Sequence, residues 1–202
     1  MDLIEQLDNQ YRNLLPVDGI VHYVPRVLPQ ANAEHYLKQL LKEVAWQSDE
    51  VVLFGKTITT KRKVAWYGDE AFQYSYSGRT KTALPWLDCL QDLKTITEQA
   101  CNERFNSCLL NLYHNGDEGM SWHSDAEPEL KPNAAIATIS LGGERKFSLK
   151  HKTSKQTVQQ QLEPGSLLIM KAETQRYWLH CVPKTKKPVP ARISLTFRSI
   201  ET

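Results

Sequence analysis

The second half of the chain is a succession of short strand-like runs separated by turn residues. Most of these runs are apolar or alternate apolar with polar residues, as the strands of antiparallel sheets do. The runs cover residues 109–113, 135–141, 146–149, 157–162, 166–170, 177–182 and 191–200, with Gly142-Gly143 and Pro164-Gly165 among the turns between them. Seven or eight antiparallel strands of this length predict a double-stranded β-helix, the jelly-roll architecture.

Two helical patterns precede these strands. Apolar residues recur at helical spacing from Pro29 to Val44, and again after Pro85 to about Asn102, while residues 19–25 are strand-like. We therefore predict an α+β fold that is mainly β, with a jelly-roll core and two flanking helices. Because the chain has 202 residues and no internal repeat, we expect one domain over residues 1–202.

Composition excludes several classes of protein. Within this sequence, no apolar run approaches the length of a membrane span, and the N-terminal residues lack the pattern of a secretory signal. We expect a monomer in the cytoplasm, or in the nucleus if the organism is a eukaryote. The four cysteines have no CxxC spacing, so they are expected to be buried, reduced thiols: Cys89, Cys101, Cys108 and Cys181.

A histidine and a carboxylate lie two residues apart after the first of these strands. Side chains of an extended segment alternate between faces, so His123 and Asp125 point the same way. A distant histidine, His180, would complete a 2-His-1-carboxylate site, which holds Fe(II) and leaves other positions open for a cosubstrate and oxygen. The alternative is a surface loop with a hydrogen-bonded pair.

Two arginines share the polar face of the last strand. The run is Arg192-Ile193-Ser194-Leu195-Thr196-Phe197-Arg198. Its two arginines point to one face of the strand, and its apolar residues point to the other face. An arginine facing the interior is costly without an anionic partner. A small dicarboxylate between Arg192 and Arg198 would satisfy both guanidinium groups. Alternatively, both side chains reach solvent at the ends of the strand.

This ordered set of motifs resembles the AlkB family of Fe(II)/2-oxoglutarate-dependent nucleic-acid dealkylases. Asn111-Leu112-Tyr113 is similar to that family's cosubstrate motif, and Trp66-Tyr67-Gly68-Asp69 to its substrate-side strand. The resemblance extends from about residue 18 to 200. It implies an enzyme, a dioxygenase that uses Fe(II), 2-oxoglutarate and O2.

The resemblance also implies roles for individual residues. Fe(II) would be bound by His123, Asp125 and His180. The distal carboxylate of 2-oxoglutarate would be bound by Arg192, Tyr113 and Ser194, and the carboxylate near the metal by Arg198 and Asn111. The expected reaction converts 2-oxoglutarate to succinate and CO2 and hydroxylates an N-alkyl group, which then leaves as formaldehyde. Bases such as 1-methyladenine and 3-methylcytosine in DNA would be repaired in this way.

The expected substrate is alkylated DNA, double-stranded in preference to single-stranded DNA or RNA. Residues of about 46–80 would form a nucleotide-recognition flap, whose Leu53-Phe54-Gly55-Lys56 string is similar to a hairpin that wedges into a base stack. Phe54 could instead be an ordinary core residue. The resemblance favours Tyr67 over Trp66 as the aromatic face for the extruded base, with Trp122 as a neighbour. Glu127 could accept a hydrogen bond from an exocyclic amino group, or be an exposed loop carboxylate.

Other functions remain open from the sequence. The same chemistry could act on RNA, a protein side chain or a small molecule. A binding module with a vestigial metal site would be expected to have lost part of the His/Asp/His/Arg set, which is complete here. A zinc hydrolase could use the three ligands but would not need the inward arginines. The net charge of +2 does not by itself indicate nucleic-acid binding, although lysines cluster at 61–63, 150–155 and 184–187.

Overall fold

The computed structural model describes residues 12–53, 56–76 and 79–201. Its helices are α1 (Gln30–Glu43), α2 (Asp88–Cys101) and the short α3 (Thr174–Tyr177). Its strands are β1 (Ile20–Val24), β2 (Gln47–Leu53), β3 (Lys56–Gly68), β4 (Gln73–Tyr76), β5 (Arg79–Thr82), β6 (Leu84–Pro85), β7 (Ser107–Tyr113), β8 (Met120–His123), β9 (Ile136–Gly142), β10 (Arg145–His151), β11 (Thr157–Leu162), β12 (Ser166–Lys171), β13 (Trp178–Val182) and β14 (Arg192–Arg198).

Two sheets face each other across the molecule. The major sheet has the strand order β1-β12-β9-β14-β7-β3-β2, with β6 paired in parallel to β3. The minor sheet has the order β11-β10-β13-β8, so β8 is an edge strand. Neighbouring strands along both orders are antiparallel, which confirms the predicted jelly roll.

Apolar side chains fill two layers. One cluster lies between the two sheets and includes Phe147, Leu149 and Trp178. The larger cluster lies on the other face of the major sheet, where Leu40 of α1 and Leu93 of α2 pack against it. The predicted pair of flanking helices is thus confirmed, and both cover the side of the major sheet that faces away from the minor sheet.

Local chemistry explains several element boundaries. Asn102 ends α2 in a left-handed conformation, with its backbone N–H donating to the carbonyl of Glu98. Gly142 has φ +82° and lies opposite Arg192, and a Cβ there would meet the carbonyl oxygen of Ala191 at 2.3 Å. Only glycine fits this approach. Tyr177, predicted to begin a strand, is instead the last residue of α3.

The four cysteines are buried free thiols, as predicted. Cys181 lies opposite Ser148, on the side of the minor sheet away from the core, whereas its neighbour His180 faces the other sheet. Among the described helices, none is long and apolar enough to span a membrane.

Candidate iron and cosubstrate site

Three side chains from two strands and a loop meet between the sheets. His123 on β8 lies directly opposite His180 on β13, and Asp125 follows β8 by two residues. The Nε2 atoms of His123 and His180 lie 4.0 and 3.7 Å from the carboxylate oxygens of Asp125. The three ligand atoms lie within 4.8 Å of one another. Two imidazoles and one carboxylate at this separation fit a divalent iron with open positions.

Burial and neighbouring charges set the protonation states of these ligands. Burial disfavours the charged form of Asp125, but Arg198, His180 and His123 together lower the pKa of its carboxyl group below the ordinary value. Burial lowers the pKa of His180 to about 4, although Asp125 opposes that shift. At neutral pH the site therefore offers a carboxylate and a neutral imidazole, the forms that bind a metal.

Hydrogen bonds orient the ligands further. Nδ1 of His123 lies 2.8 Å from the carbonyl oxygen of Ser121, so its N–H donates there and Nε2 is left for the metal. The backbone N–H of Asp125 donates to Oε1 of Gln175, 2.9 Å away on α3. Nζ of Lys152 donates to Oγ of Ser124 and to the carbonyl oxygen of Gln175. The loop that carries Asp125 is thus tied to α3 and to the turn that follows β10.

A second arginine of β14, Arg192, lies on the same face of the major sheet as Arg198, at the opposite end of the strand. Arg192 is 1% exposed, and its Nη2 donates to Oγ of Ser140 at 2.9 Å. Its Nε and Nη1 have no hydrogen-bond partner among the described residues. Burial lowers its pKa to about 10, against the opposing effect of Tyr113 and with the help of Arg145. No carboxylate of the described residues pairs with this group, and a carboxylate would match its free donors.

The residues predicted to share the cosubstrate lie on the same face. Strand register places Tyr113 opposite Arg192 and Asn111 opposite Ser194, all turned toward the minor sheet. The side-chain oxygen Oδ1 of Asn111 is buried and has no partner among the described residues. Arg198 instead contacts the metal ligand Asp125 at 2.5 Å, and its Nη1 lies 3.5 Å from Glu127. Its contact with a cosubstrate carboxylate stays a prediction.

Comparisons with known proteins agree with this geometry. Residues 20–198 match the family described as the 2OG-Fe(II) oxygenase superfamily. Mouse and human proteins named DNA oxidative demethylase ALKBH2 are 35% identical over 182 residues, which cover 85% of this chain and 76% and 70% of theirs. A human protein named alpha-ketoglutarate-dependent dioxygenase alkB homolog 3 is 38% identical over 124 residues, covering 57% of this chain and 43% of its own. The chain belongs to the AlkB family.

A solved AlkB structure shares the fold. The structure titled OsALKBH1 superposes with a TM-score of 0.65 at 15% identity, covering 89% of this chain and 97% of its own. Family membership means that the enzyme is a dioxygenase that uses Fe(II), 2-oxoglutarate and O2. The donor set fits this requirement, because His123, Asp125 and His180 would hold the metal and the free donors of Arg192 would hold the far carboxylate of 2-oxoglutarate.

The expectation that Tyr67 faces the AlkB substrate side is wrong. Tyr67 is paired with Cys108 and buried in the cluster beneath the helices, where its hydroxyl accepts a hydrogen bond from the backbone N–H of Ala45. Trp66 is paired with Leu109, on the face that also carries Asn111. Register with β7 therefore turns Trp66, not Tyr67, toward the metal side of the sheet.

Trp122 also lies elsewhere than predicted. It is next to His123 on β8 and so points to the opposite face, away from the metal ligands, where it is 40% exposed. Nζ of Lys150 lies 4.4 Å from the centre of its ring. Glu127 does lie at the site, half-buried beside Arg198, with a buried Oε2 that has no partner among the described residues. Phe54 lies outside the described residues, so the predicted wedge stays a prediction.

Arg145 is the main residue of this region that the sequence did not indicate. It is 2% exposed and donates to the carbonyl oxygens of Glu118 at 2.7 Å and Pro183 at 2.8 Å. Its guanidinium lies 5.6 Å from the ring centre of Tyr113, and that of Arg192 lies 5.4 Å from the same ring. Nothing in its sequence spacing distinguishes it from a surface arginine, since its partners are far away along the chain.

Proposed function

We propose that the protein is a DNA oxidative demethylase that removes methyl groups from bases of the 1-methyladenine and 3-methylcytosine type by direct reversal. The ALKBH2 proteins of mouse and human, which carry the name DNA oxidative demethylase, support this assignment. Bound Fe(II), with 2-oxoglutarate and O2, supplies the oxidation that places a hydroxyl group on the N-methyl carbon. The hydroxymethyl group leaves as formaldehyde, and 2-oxoglutarate ends as succinate and CO2.

The observation that carries the proposal is the pairing of the ligand triad with Arg192. The three ligands alone would also suit a hydrolytic metal. Arg192, which shares a face of β14 with the Asp125 partner Arg198, is a buried guanidinium with two free nitrogen donors and adds a place for a carboxylate. A metal and a dicarboxylate cosubstrate held side by side are the requirements of this oxidation.

The chain's own residues orient the reacting groups. Arg198 keeps Asp125 ionised and fixes its carboxylate, while Gln175 fixes the backbone of that residue. Glu127 offers its free Oε2 to the exocyclic amino group of the target base. The apolar cluster between the sheets, with Phe147 stacked on His180 at 5.3 Å, keeps water from one side of the ligands.

The finer features of the substrate belong to this proposal. The DNA is double-stranded, with single-stranded DNA or RNA as poorer substrates, and residues of about 46–80 form the recognition flap of a single domain spanning residues 1–202. Phe54, between β2 and β3, fills the gap that the extruded base leaves. The enzyme works as a monomer in the cytoplasm, or in the nucleus of a eukaryote.

Formaldehyde release from methylated oligonucleotides tests this function. Matched single- and double-stranded DNA and RNA containing 1-methyladenine or 3-methylcytosine are incubated with enzyme, Fe(II), 2-oxoglutarate and ascorbate. We expect one formaldehyde and one succinate per base repaired, with DNA duplex preferred. His123→Ala is the inactive control, because it removes one metal ligand.

Two results would contradict the proposal in different ways. Succinate formation that leaves every methylated base intact would preserve the oxidation but refute the substrate. Faster repair of RNA than of DNA would preserve demethylation and reassign the nucleic acid. A duplex preference that Phe54→Ala abolishes would support the wedge, whereas an unchanged preference would refute it.

A further inference from the structure

Trp122 is a large aromatic residue held in solvent beside a metal ligand. It lies on the edge strand β8, and 40% of its surface is exposed. Its neighbour His123 points inward and has a side chain that is 35% exposed, against 7% for His180 and 3% for Asp125. The solvent side of the ligand triad is therefore the side of β8, and Trp122 stands at its outer surface.

The surface around Trp122 is mostly polar and carries only positive charge, and we call it the outer face. It consists of the exposed and half-buried outward residues of the minor sheet: Trp122; Lys146 and Lys150; Thr157, Gln159 and Gln161; and Leu179. This set contains two lysines and no acidic residue. Nζ of Lys150 lies 4.4 Å from the centre of the indole ring. An exposed ring with an adjacent cation suits a nucleobase next to a phosphate.

The outer face lies close to the solvent-exposed side of the three metal ligands. Nη1 of Arg62 on β3 lies 3.1 Å from Sδ of Met120 on β8, so the edge of the minor sheet faces β3 of the major sheet. A base that reaches the exposed side of His123 passes along β8. The nucleotides joined to that base then lie within reach of the opposite side of the same four-residue strand.

We propose that the outer face is a nucleic-acid docking surface that holds nucleotides flanking the base under repair. Trp122 stacks on a flanking base, and Lys150 contacts the adjacent phosphate. This inference rests on the proposed function, since it assumes a nucleic-acid substrate. It also assigns to Trp122 a role outside the pocket, in place of contact with the extruded base.

Binding of oligonucleotides of two lengths tests the surface. Fluorescence anisotropy measures the affinity of the Mn(II)- and 2-oxoglutarate-loaded enzyme for a labelled 15-mer and a labelled trinucleotide, each with a central 1-methyladenine. Stacking of one base on an aromatic ring predicts a loss of about fivefold or more for the 15-mer in Trp122→Ala. Lys150→Gln is expected to reduce the slope of log affinity against log salt concentration by about one.

Matched variants control for changes elsewhere on the surface. Leu41→Ala removes an exposed apolar residue of α1, and Lys38→Gln removes an exposed lysine of the same helix. Neither is on the outer face, and both should bind the 15-mer as the wild type does. Trp122→Gln is a second variant at this position, and thermal unfolding shows whether each variant is folded.

The outcomes separate this inference from the proposed function. The wild type should bind the 15-mer more tightly than the trinucleotide. A smaller difference between these two affinities in the Trp122 and Lys150 variants, but not in the controls, supports the docking surface. Unchanged 15-mer binding in both variants, with repair intact in the wild type, overturns the docking surface alone. A wild type that neither binds nor repairs methylated oligonucleotides overturns both.

Discussion

Arg192 is a buried cation whose counter-ion must come from outside the described chain. Its neighbours supply a hydroxyl group from Ser140 and the ring of Tyr113, but no carboxylate. Holding a guanidinium in this state costs free energy, which a bound anion would offset. Binding of a 2-oxoglutarate carboxylate to Arg192 would therefore remove an unfavourable burial of unpaired charge.

Replacing Arg192 should weaken the cosubstrate more than the nucleic acid. A charge-assisted pair contributes about 1.5–3 kcal/mol, so Arg192→Gln should raise the KM for 2-oxoglutarate roughly 10- to 100-fold. The KM is measured from the rate of succinate formation at a series of 2-oxoglutarate concentrations. Arg104→Gln is the control, since that side chain is 91% exposed. An unchanged KM in Arg192→Gln would mean that another residue binds the far carboxylate.

Gln175 should set metal affinity although it touches no metal. Its Oε1 accepts the backbone N–H of Asp125, and groups that orient metal ligands typically change affinity by about 10- to 100-fold. We expect Gln175→Leu to weaken Mn(II) binding about tenfold, measured by titration of the protein. Gln91→Leu, at an exposed position of α2, should bind Mn(II) normally. Equal affinities in the two variants would show that the loop holds Asp125 without this bond.

At the scale of elements, Arg145 joins segments that are distant in sequence. From the start of β10 it donates to the carbonyl oxygens of Glu118, before β8, and Pro183, after β13. Its guanidinium also packs against Tyr113 at the end of β7. One buried side chain thereby fixes the ends of strands from both sheets around the cosubstrate side of the site.

Removing this connection should lower stability and loosen the cosubstrate site. Arg145→Met leaves buried carbonyl oxygens without donors, each costing about 1–3 kcal/mol, so we expect a loss of roughly 2–5 kcal/mol in the free energy of unfolding. Urea unfolding measures it, with Arg104→Met as the exposed control. The KM for 2-oxoglutarate should also rise, because Tyr113 loses its support. A loss of stability with an unchanged KM would confine Arg145 to the scaffold.

Because side chains alternate between the two faces of a strand, the sequence predicted which residues face the site wherever the two faces differ in chemistry. In β14 the arginines and the apolar residues separate cleanly, so the inward polar face was predictable. Trp66 and Tyr67 are both aromatic, and only register with β7 decides which of them faces the site. The bonds of Gln175 to Asp125 and of Arg145 to Pro183 span 50 and 38 residues, which no local pattern indicates.

At the scale of the whole molecule, the site joins the two sheets. The major sheet supplies Arg192 and Arg198, the minor sheet supplies His123 and His180, and Asp125 contacts residues of both. A metal and a cosubstrate bound here would connect the two walls of the jelly roll. Their binding energy should therefore appear as stability of the whole fold.

Thermal unfolding with and without ligands tests this coupling. Mn(II) at a concentration 100 times its dissociation constant should stabilise the fold by about 2.7 kcal/mol, and 2-oxoglutarate should add a further increase in Tm. Arg192→Gln should keep the stabilisation by Mn(II) and lose most of the stabilisation by 2-oxoglutarate. His123→Ala should lose the stabilisation by Mn(II). EDTA should reverse the stabilisation of the wild type. If 2-oxoglutarate stabilised Arg192→Gln as much as the wild type, the buried guanidinium would not be its binding partner.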